Sequence, residues 1–392
     1  MPIFDQGYQH WSGELTDHGW RWLTITRHGV RIGMKNRLLR IALLIAWLPA
    51  AVLAFFLCVW GLLEQKSDLV QPLVPFLAAM IGPEIVNDPK AYRVEVWTLA
   101  YDYFLLTELR FSMLVILMVG PGLISRDLRF NALPLYLSRP LRRIDYFVGK
   151  LGVVVVFLGL VLVVPSLIAY VLGLLFSLDL TIVRDTFTLL LACIGYGAVV
   201  SVSAGLLILA LSSLSRNSRY VGLFWLAVWF VSSMVGTVLA AVNEEHRMHH
   251  QYKRAVEAEQ AAQAARPSQV AHPVQPEKTP AGSKQRAGPP QVDHQRIWAD
   301  IQREQREAAK TDWRPLFSYT TNVSRVGRHW LGADRSWEKL AETVPAEERD
   351  RYLLENMGAQ YPWYWSAIVL AVLVGLSVCV LNFRVKSLDR LR

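Results

Sequence analysis

The sequence predicts an all-α integral membrane protein with six transmembrane helices. Hydrophobic residues make up 53% of its 392 residues, which is typical of membrane proteins. Six apolar stretches reach the roughly 20 residues that a helix needs to cross a hydrocarbon core of about 30 Å. Basic residues concentrate in every second connection between them. The stretches are 41–63, 103–125, 148–176, 187–211, 220–242 and 363–383.

Residues 1–40 precede the first stretch and are too polar to span a membrane. Apolar residues such as Trp20, Trp22 and Leu23 alternate with arginines in the second half of this segment. This pattern predicts a basic helix lying in the membrane interface. An ordinary basic flank is the alternative. The stretch that follows is too long, and too far from the start, for a cleavable signal peptide.

Lysine and arginine predict the orientation. They cluster in residues 1–40, in the 126–150 loop, in the 212–219 loop and in the tail 384–392, which share one side if six helices alternate. The opposing 64–102 loop has three basic residues against six acidic ones. The positive-inside rule therefore predicts a cell (inner or plasma) membrane protein with both termini in the cytoplasm.

Two connections contain further elements. In the 64–102 loop, the apolar run Leu73 to Gly82 is too short to span and predicts a surface-lying or partly re-entrant piece.

The 243–362 segment is predicted to be extracytoplasmic, with a helix continuing the fifth span and then a Pro-rich linker at 267–292 that holds six prolines. Helices are predicted at about 294–311 and from Pro345 to Met357, packed on the membrane domain.

No catalytic or cofactor motif is present. The chain lacks GxxxxGK[ST], HExxH and CxxC patterns, so we expect a non-catalytic protein with no cofactor of its own. His246 and His250 share a helix face, with His249 beside them, and could bind a metal. A solvated polar start of a helix is the alternative interpretation.

Few ionisable residues fall within the predicted spans. Glu108 and Arg110 lie near the outer end of the second span, and Lys150 lies near the inner end of the third. All three could reach an interface by extending along the helix. This scarcity disfavours a proton- or ion-coupled secondary carrier.

Small residues recur at four-residue spacing on two spans, which allows helix backbones to approach closely. They can serve packing within the chain or a dimer seam. The positions are Gly197, Ser201 and Gly205 in the fourth span and Ser232, Gly236 and Ala240 in the fifth.

The most distinctive segment is the basic loop between the second and third spans. Ser125 to Asn131 is predicted to form a short helix after a flexible joint at Gly120-Pro121-Gly122. Apolar side chains in this loop are surrounded by arginines, which indicates a docking surface. A loop folded back onto lipid headgroups is the alternative.

This loop, LISRDLRFNALPLYLSRPLRRIDYFVGK, resembles the first cytoplasmic loop of permease subunits of ABC transporters of the type-2 exporter class. The start of the chain, MPIFDQGYQHW, is also similar to some bacterial members. The matching loop positions are Ser125, Asp127, Ala132, Leu133, Leu135, Tyr136, Leu137, Ser138, Arg139, Pro140, Arg143, Asp145, Tyr146, Gly149 and Lys150.

The resemblance implies that the loop is the coupling helix of an exporter, seated in a groove of a separate cytosolic ATPase subunit that holds ATP and Mg. It also implies a second permease chain, identical or different, at an interface usually lined by spans one, two and five. The residues expected to dock the ATPase are Leu128, Phe130, Leu135, Tyr136, Arg139, Arg142 and Arg143.

One feature departs from the class, because the connection between spans five and six is much longer than the usual short re-entrant hairpin. A non-transporting device that passes ATPase strokes to an extracytoplasmic partner is therefore the first alternative. A secondary carrier and a plain membrane scaffold are the others. The sequence does not identify the substrate, and no nucleic acid is needed to explain the basic charge, which faces anionic lipid.

Overall fold

The computed structural model describes residues 20–132, 142–177, 181–265 and 294–389, and every regular element among them is helical. Six described helices are long and apolar enough to cross a membrane, so the predicted fold class is confirmed. The helices extend beyond the predicted apolar stretches. Spans 1 to 6 are Arg37–Glu64, Arg93–Arg129, Arg143–Ser177, Thr181–Leu214, Ser218–Asn243 and Trp363–Arg384.

The N-terminal segment forms helix α1, Arg21–Lys35, which is amphipathic. It lies lengthwise along the first turns of span 3, where Gly29 and Gly33 leave no room for a Cβ against the side chains of Val153 and Phe157. Asn36 separates α1 from span 1, and its side chain accepts a hydrogen bond from the Leu38 N–H at 3.0 Å. The described part of the polar segment before span 1, from residue 20 onward, is thus a packed helix.

Two short helices, α2 (Val74–Ile81) and α3 (Pro83–Asn87), connect spans 1 and 2. Helix α2 coincides with the apolar run that the sequence singled out. Leu77 of α2 and Ile85 of α3 are buried in the main hydrophobic core. This connection therefore contributes to the core.

Span 2 is the central helix of the bundle and is interrupted at Gly120-Pro121. Its last two turns form helix α4, Gly122–Arg129. The break occurs because proline lacks the N–H that would continue the helix. The predicted joint before the basic loop is present.

Span 3 accommodates Pro165 through a widened π turn at Gly159–Val163. Proline clashes with the carbonyl four residues before it, and a π turn relieves that clash locally. The indole N–H of Trp47 donates to the carbonyl of Leu160 in this turn at 3.1 Å. The distortion that Pro165 imposes is therefore absorbed within the helix.

The helix of span 5 continues without a break to Ala265. Beyond it lie the elements that we call the 5–6 module, which spans residues 294–357. They are α5 (His294–Ala309), a 3₁₀ turn (Arg314–Phe317), α6 (Tyr319–Leu331), α7 (Ala333–Ala341) and α8 (Arg349–Met357).

Helix α6 packs between spans 2, 4 and 6. The Trp330 ring lies against Gly195, and the Tyr319 and Ser203 hydroxyls are 2.9 Å apart. Ser203 is about 33 Å along span 4 from its first residue, at 1.5 Å per residue. The N-terminus of α6 thus reaches more than half-way down span 4, in the manner of a re-entrant segment.

The position of Glu108 corrects one expectation. It was expected to extend to an interface, but it is fully buried in the centre of the bundle. Neither of its carboxyl oxygens has a hydrogen-bond partner among the described residues. The cause is the central position of span 2, which packs against four other spans. Arg110, two residues on, is exposed as expected.

Candidate functional site

The candidate site lies at the end of the bundle where α1, α4, the start of span 3 and residues 215–217 meet. We call this the basic end. The opposite end, which carries α7 and α8, we call the module end. At the basic end, α4 leads into the basic loop, of which residues 133–141 lie outside the described residues.

Ser212 of span 4 fastens the start of α4. Its hydroxyl oxygen accepts hydrogen bonds from the backbone N–H groups of Ile124 and Ser125, at 3.1 and 2.9 Å, and its own O–H donates to the carbonyl of Pro121 at 2.9 Å. The first N–H groups of a helix have no partner within the helix. A side chain from another span supplies the partner here, so α4 is fixed to span 4.

Asp127 joins the two ends of the basic loop. Its carboxylate accepts hydrogen bonds from the Tyr146 hydroxyl and the Lys150 ammonium, both at 2.7 Å. The Lys150 nitrogen also lies 5.4 Å from the centre of the Tyr146 ring. Asp127 belongs to α4, and its two partners belong to span 3. This network therefore makes α4 and the start of span 3 one unit.

Two other residues of the recognised motif have local roles. A Cβ at Gly149 would lie 2.9 Å from the carbonyl oxygen of Trp22, so only glycine allows α1 to pack this closely. The Asp145 carboxylate accepts a hydrogen bond from the Arg142 N–H at 3.2 Å and caps the start of span 3. The motif thus organises the contacts around the loop.

The basic end exposes large apolar side chains as well as arginines. Phe130 and Ile144 are 74% and 70% exposed. The Arg129 guanidinium lies 5.7 Å from the centre of the Phe130 ring. Large exposed apolar side chains next to arginines are characteristic of protein interaction surfaces.

A cleft of about 410 Å³ lies beside this surface. It is lined by Arg129 of α4 and by Arg216, Asn217, Ser218 and Arg219 at the start of span 5. Three guanidinium groups thus surround one opening. They give it a positive potential that favours an acidic partner.

Ion pairs at the module end bind α6 to span 2. The Arg328 guanidinium lies 2.8 Å from the Asp102 carboxylate, and both side chains are at least nine-tenths buried. Arg328 also donates to the carbonyls of Met357 and Asn356. Nearby, the Arg93 guanidinium lies 2.6 Å from the Glu64 carboxylate, which joins spans 1 and 2.

Comparison with known proteins identifies the family. Residues 98–307 match the family described as ABC-2 family transporter protein, and this range is more than half of the chain. The chain belongs to that family. The resemblance to ABC-2 permeases that the basic loop suggested is therefore confirmed. No curated protein and no solved structure matches the chain.

The matched range of this ABC-2 permease includes α4 and the described parts of the basic loop. Of the residues expected to dock an ATPase, Phe130, Arg142 and Arg143 are exposed at the basic end, and Leu128 is half-buried. Leu135, Tyr136 and Arg139 lie outside the described residues.

Sequence reasoning overlooked several residues of this site. Ile144 was not singled out because it begins an apolar span. Arg216 and Arg219 were counted only toward orientation, although a short loop with two arginines beside the basic loop could have indicated a shared surface. Ser212 gave no signal, because a serine in a membrane helix usually bonds to its own helix.

The small-residue positions of this permease contact parts of the same chain. In span 4, Gly197 lies against Val163 and Gly205 against Leu151, both in span 3, and Ser201 is buried. In span 5, Gly236 lies 3.4 Å from the Ser318 Cβ, measured from an ideal Cβ. The remaining two positions, Ser232 and Ala240, are half-buried.

The histidine cluster gains no support. The side chains of His246 and His249 lie outside the described residues, and His250 is exposed. Within the described part of the chain, no three metal-ligating side chains come together.

Proposed function

We propose that this ABC-2 permease is the membrane subunit of an ATP-driven exporter in the cell membrane, with its basic end and both termini in the cytoplasm. A separate ATPase subunit, which holds ATP and Mg, docks at the basic end. The observation that carries this proposal is the exposure of Phe130 and Ile144 together with Arg129 at the basic end, because hydrogen bonds and an ion pair join α4 there to spans 3 and 4.

Coupling follows from how α4 is attached. Ser212 holds α4 to span 4, and Asp127 holds it to span 3, while the break at Gly120-Pro121 separates it from the rest of span 2. A push on the surface by a closing ATPase therefore moves the inner ends of spans 3 and 4 together. Span 2 can change its angle at the break.

The cationic cleft adds specificity to docking. Arg129, Arg216 and Arg219 would meet carboxylates at the rim of the groove in the ATPase, with Phe130 inside the groove. Complementary charges of this kind speed association and exclude wrong partners. We also propose that a second permease chain packs against span 5, because little of its apolar surface is buried within the chain.

A pull-down tests the docking assignment. The tagged protein is isolated from native membranes in mild detergent, and the eluate is analysed by mass spectrometry and ATPase assay. The variant Arg129→Glu with Arg219→Glu should lose a stoichiometric P-loop ATPase while still inserting into the membrane. The control reverses two exposed arginines elsewhere, Arg254→Glu with Arg335→Glu, and should retain it. Retention by both variants would contradict the proposal.

A second candidate function is a non-transporting relay to an extracytoplasmic partner. The buried Asp102–Arg328 pair favours it, because movement of span 2 would be passed directly to the 5–6 module. So does the unbroken helix from Ser218 to Ala265, about 70 Å long at 1.5 Å per residue. Deleting residues 267–292 separates the two functions, since an exporter should lose little activity and a relay most of it.

A further inference from the structure

A second cavity at the basic end, of about 400 Å³, lies between α1 and the inner end of span 2. Its lining is divided by chemical type. Apolar side chains come from α1, span 1, span 2 and the start of α4, and charged side chains come from α4 and span 3. The apolar ones are Ile25, Ile32, Leu39, Met118, Val119 and Leu123.

The cavity exists because of glycine packing on one side of α1. Gly29 and Gly33 face span 3 with no space for a side chain. This close approach draws α1 toward span 3 and leaves its other face separated from span 2. Its lining residues come from α1, span 1, span 2 with α4, and the start of span 3.

The ionic part of the lining has a surplus of positive charge. It contains Arg126, Lys150 and Asp127, together with His28 at the exposed side of α1. Asp127 is already bound by Lys150 and Tyr146. Among the described residues no carboxylate pairs with Arg126, so its guanidinium is the charge available to a ligand.

We propose that this cavity binds one anionic lipid of the inner leaflet, with its phosphate at Arg126 and an acyl chain along the apolar lining. Basic pockets between transmembrane helices on the cytoplasmic side are suited to anionic headgroups. The volume is in the range of small-ligand sites, and most of the lining is apolar. A soluble phosphate ester would leave this apolar part of the cavity unused.

The site is distinct from the surface assigned to the ATPase. Arg126 faces α1, whereas Arg129 and Arg219 line the separate cleft. A lipid in this cavity would contact α1, span 2 and α4 at once. It would therefore stabilise one position of α4 relative to α1.

Native mass spectrometry of the full-length protein tests the proposal. The protein is purified with a mixture of phosphatidylglycerol and phosphatidylethanolamine, and the lipids retained per chain are counted. The wild type should retain one phosphatidylglycerol in preference to phosphatidylethanolamine. Arg126→Gln should reduce this retention at least fivefold. Arg110→Gln removes an exposed arginine from the same span and should leave retention unchanged.

Two further arms make the outcome decisive. Val119→Phe fills the apolar part of the cavity and should lower retention of both lipids, and Arg126→Gln still decides if that variant does not fold. Equal retention by Arg126→Gln and the wild type, or no preference for the anionic lipid, would overturn the proposal. Displacement of the lipid by millimolar glycerol 3-phosphate would also overturn it, since a phosphate ester alone would then be the ligand.

Discussion

At the module end, Arg328 and Asp102 are buried and paired at 2.8 Å, whereas at the basic end Arg129, Arg216 and Arg219 surround an open cleft. The two ends differ in how far their charged side chains are exposed to solvent. A buried charge must be paired, because an isolated one costs several kcal/mol or more. An exposed arginine costs little and remains available to a partner. The buried ion pair at the module end therefore joins helices within the fold, while the arginines around the open cleft at the basic end are available for recognition.

The largest effect should come from breaking the buried pair. Arg328→Met leaves Asp102 without a counter-charge and removes donors to two carbonyls, so the free energy of unfolding should fall by about 3–5 kcal/mol. Thermal unfolding of the purified protein in detergent measures this.

Two controls sharpen that prediction. The double variant Asp102→Leu with Arg328→Met should recover a large part of the loss, because no charge is then left buried. Arg351→Met breaks an exposed pair with Glu355 and should leave the unfolding temperature close to that of the wild type, because exposed ion pairs contribute little to stability. A single Arg328→Met variant as stable as Arg351→Met would show that the pair does not hold α6.

The next effect concerns close packing of α6 on span 4. A Cβ at Gly327 would lie 2.5 Å from ring carbons of Tyr196, so Gly327→Ala should lower stability by about 1–3 kcal/mol through overpacking. Gly375→Ala is the matched control, since nothing lies within 4 Å of a Cβ there. If both variants unfold at the same temperature, α6 is not packed against span 4 as described.

A smaller effect is expected at the basic end. Ser212→Ala removes the acceptor of two backbone N–H groups at the start of α4. The cost should be roughly 1–2 kcal/mol, because two buried N–H groups lose their acceptor. The rate of ATPase-driven transport should fall by more than this loss of stability alone would cause. Ser377→Ala, whose hydroxyl bonds only to its own helix, is the control, and an equal loss of activity there would contradict coupling through Ser212.

The smallest effect is a pH dependence at the module end. Burial, followed by repulsion from Arg325, lowers the pKa of the His329 imidazole below its ordinary value of 6.5. The folded state thus favours the neutral ring. The contribution of this preference to the free energy of unfolding is fully present above pH 6.5, and it is lost as the pH falls from 6.5 to the lowered pKa.

His329 also stacks on Trp363, with ring centres 4.5 Å apart. His329→Phe keeps a ring for this stack and removes the titration. Its unfolding temperature should therefore fall less than that of the wild type between pH 7.5 and 5.5. Parallel curves would exclude this contribution of His329.

Some elements follow from local properties of the chain. Length and hydropathy predicted all six spans, and Gly120-Pro121 predicted the break in span 2, because both depend on residues close together in sequence. Helices α6 and α7 were not predicted. Arg325 and Arg328 give α6 a polar composition, and their burial depends on partners elsewhere.

The sequence by itself determined the class of protein, the number of spans, the family signature in the basic loop and which residues there are cationic. Only the tertiary structure decided that Asp127 binds Tyr146 and Lys150, that Ser212 fastens α4, and that α6 descends along span 4. The physical reason is the separation along the sequence over which each effect acts. Hydropathy acts within one helix, whereas Arg328 and Asp102 are 226 positions apart and meet only when the spans pack.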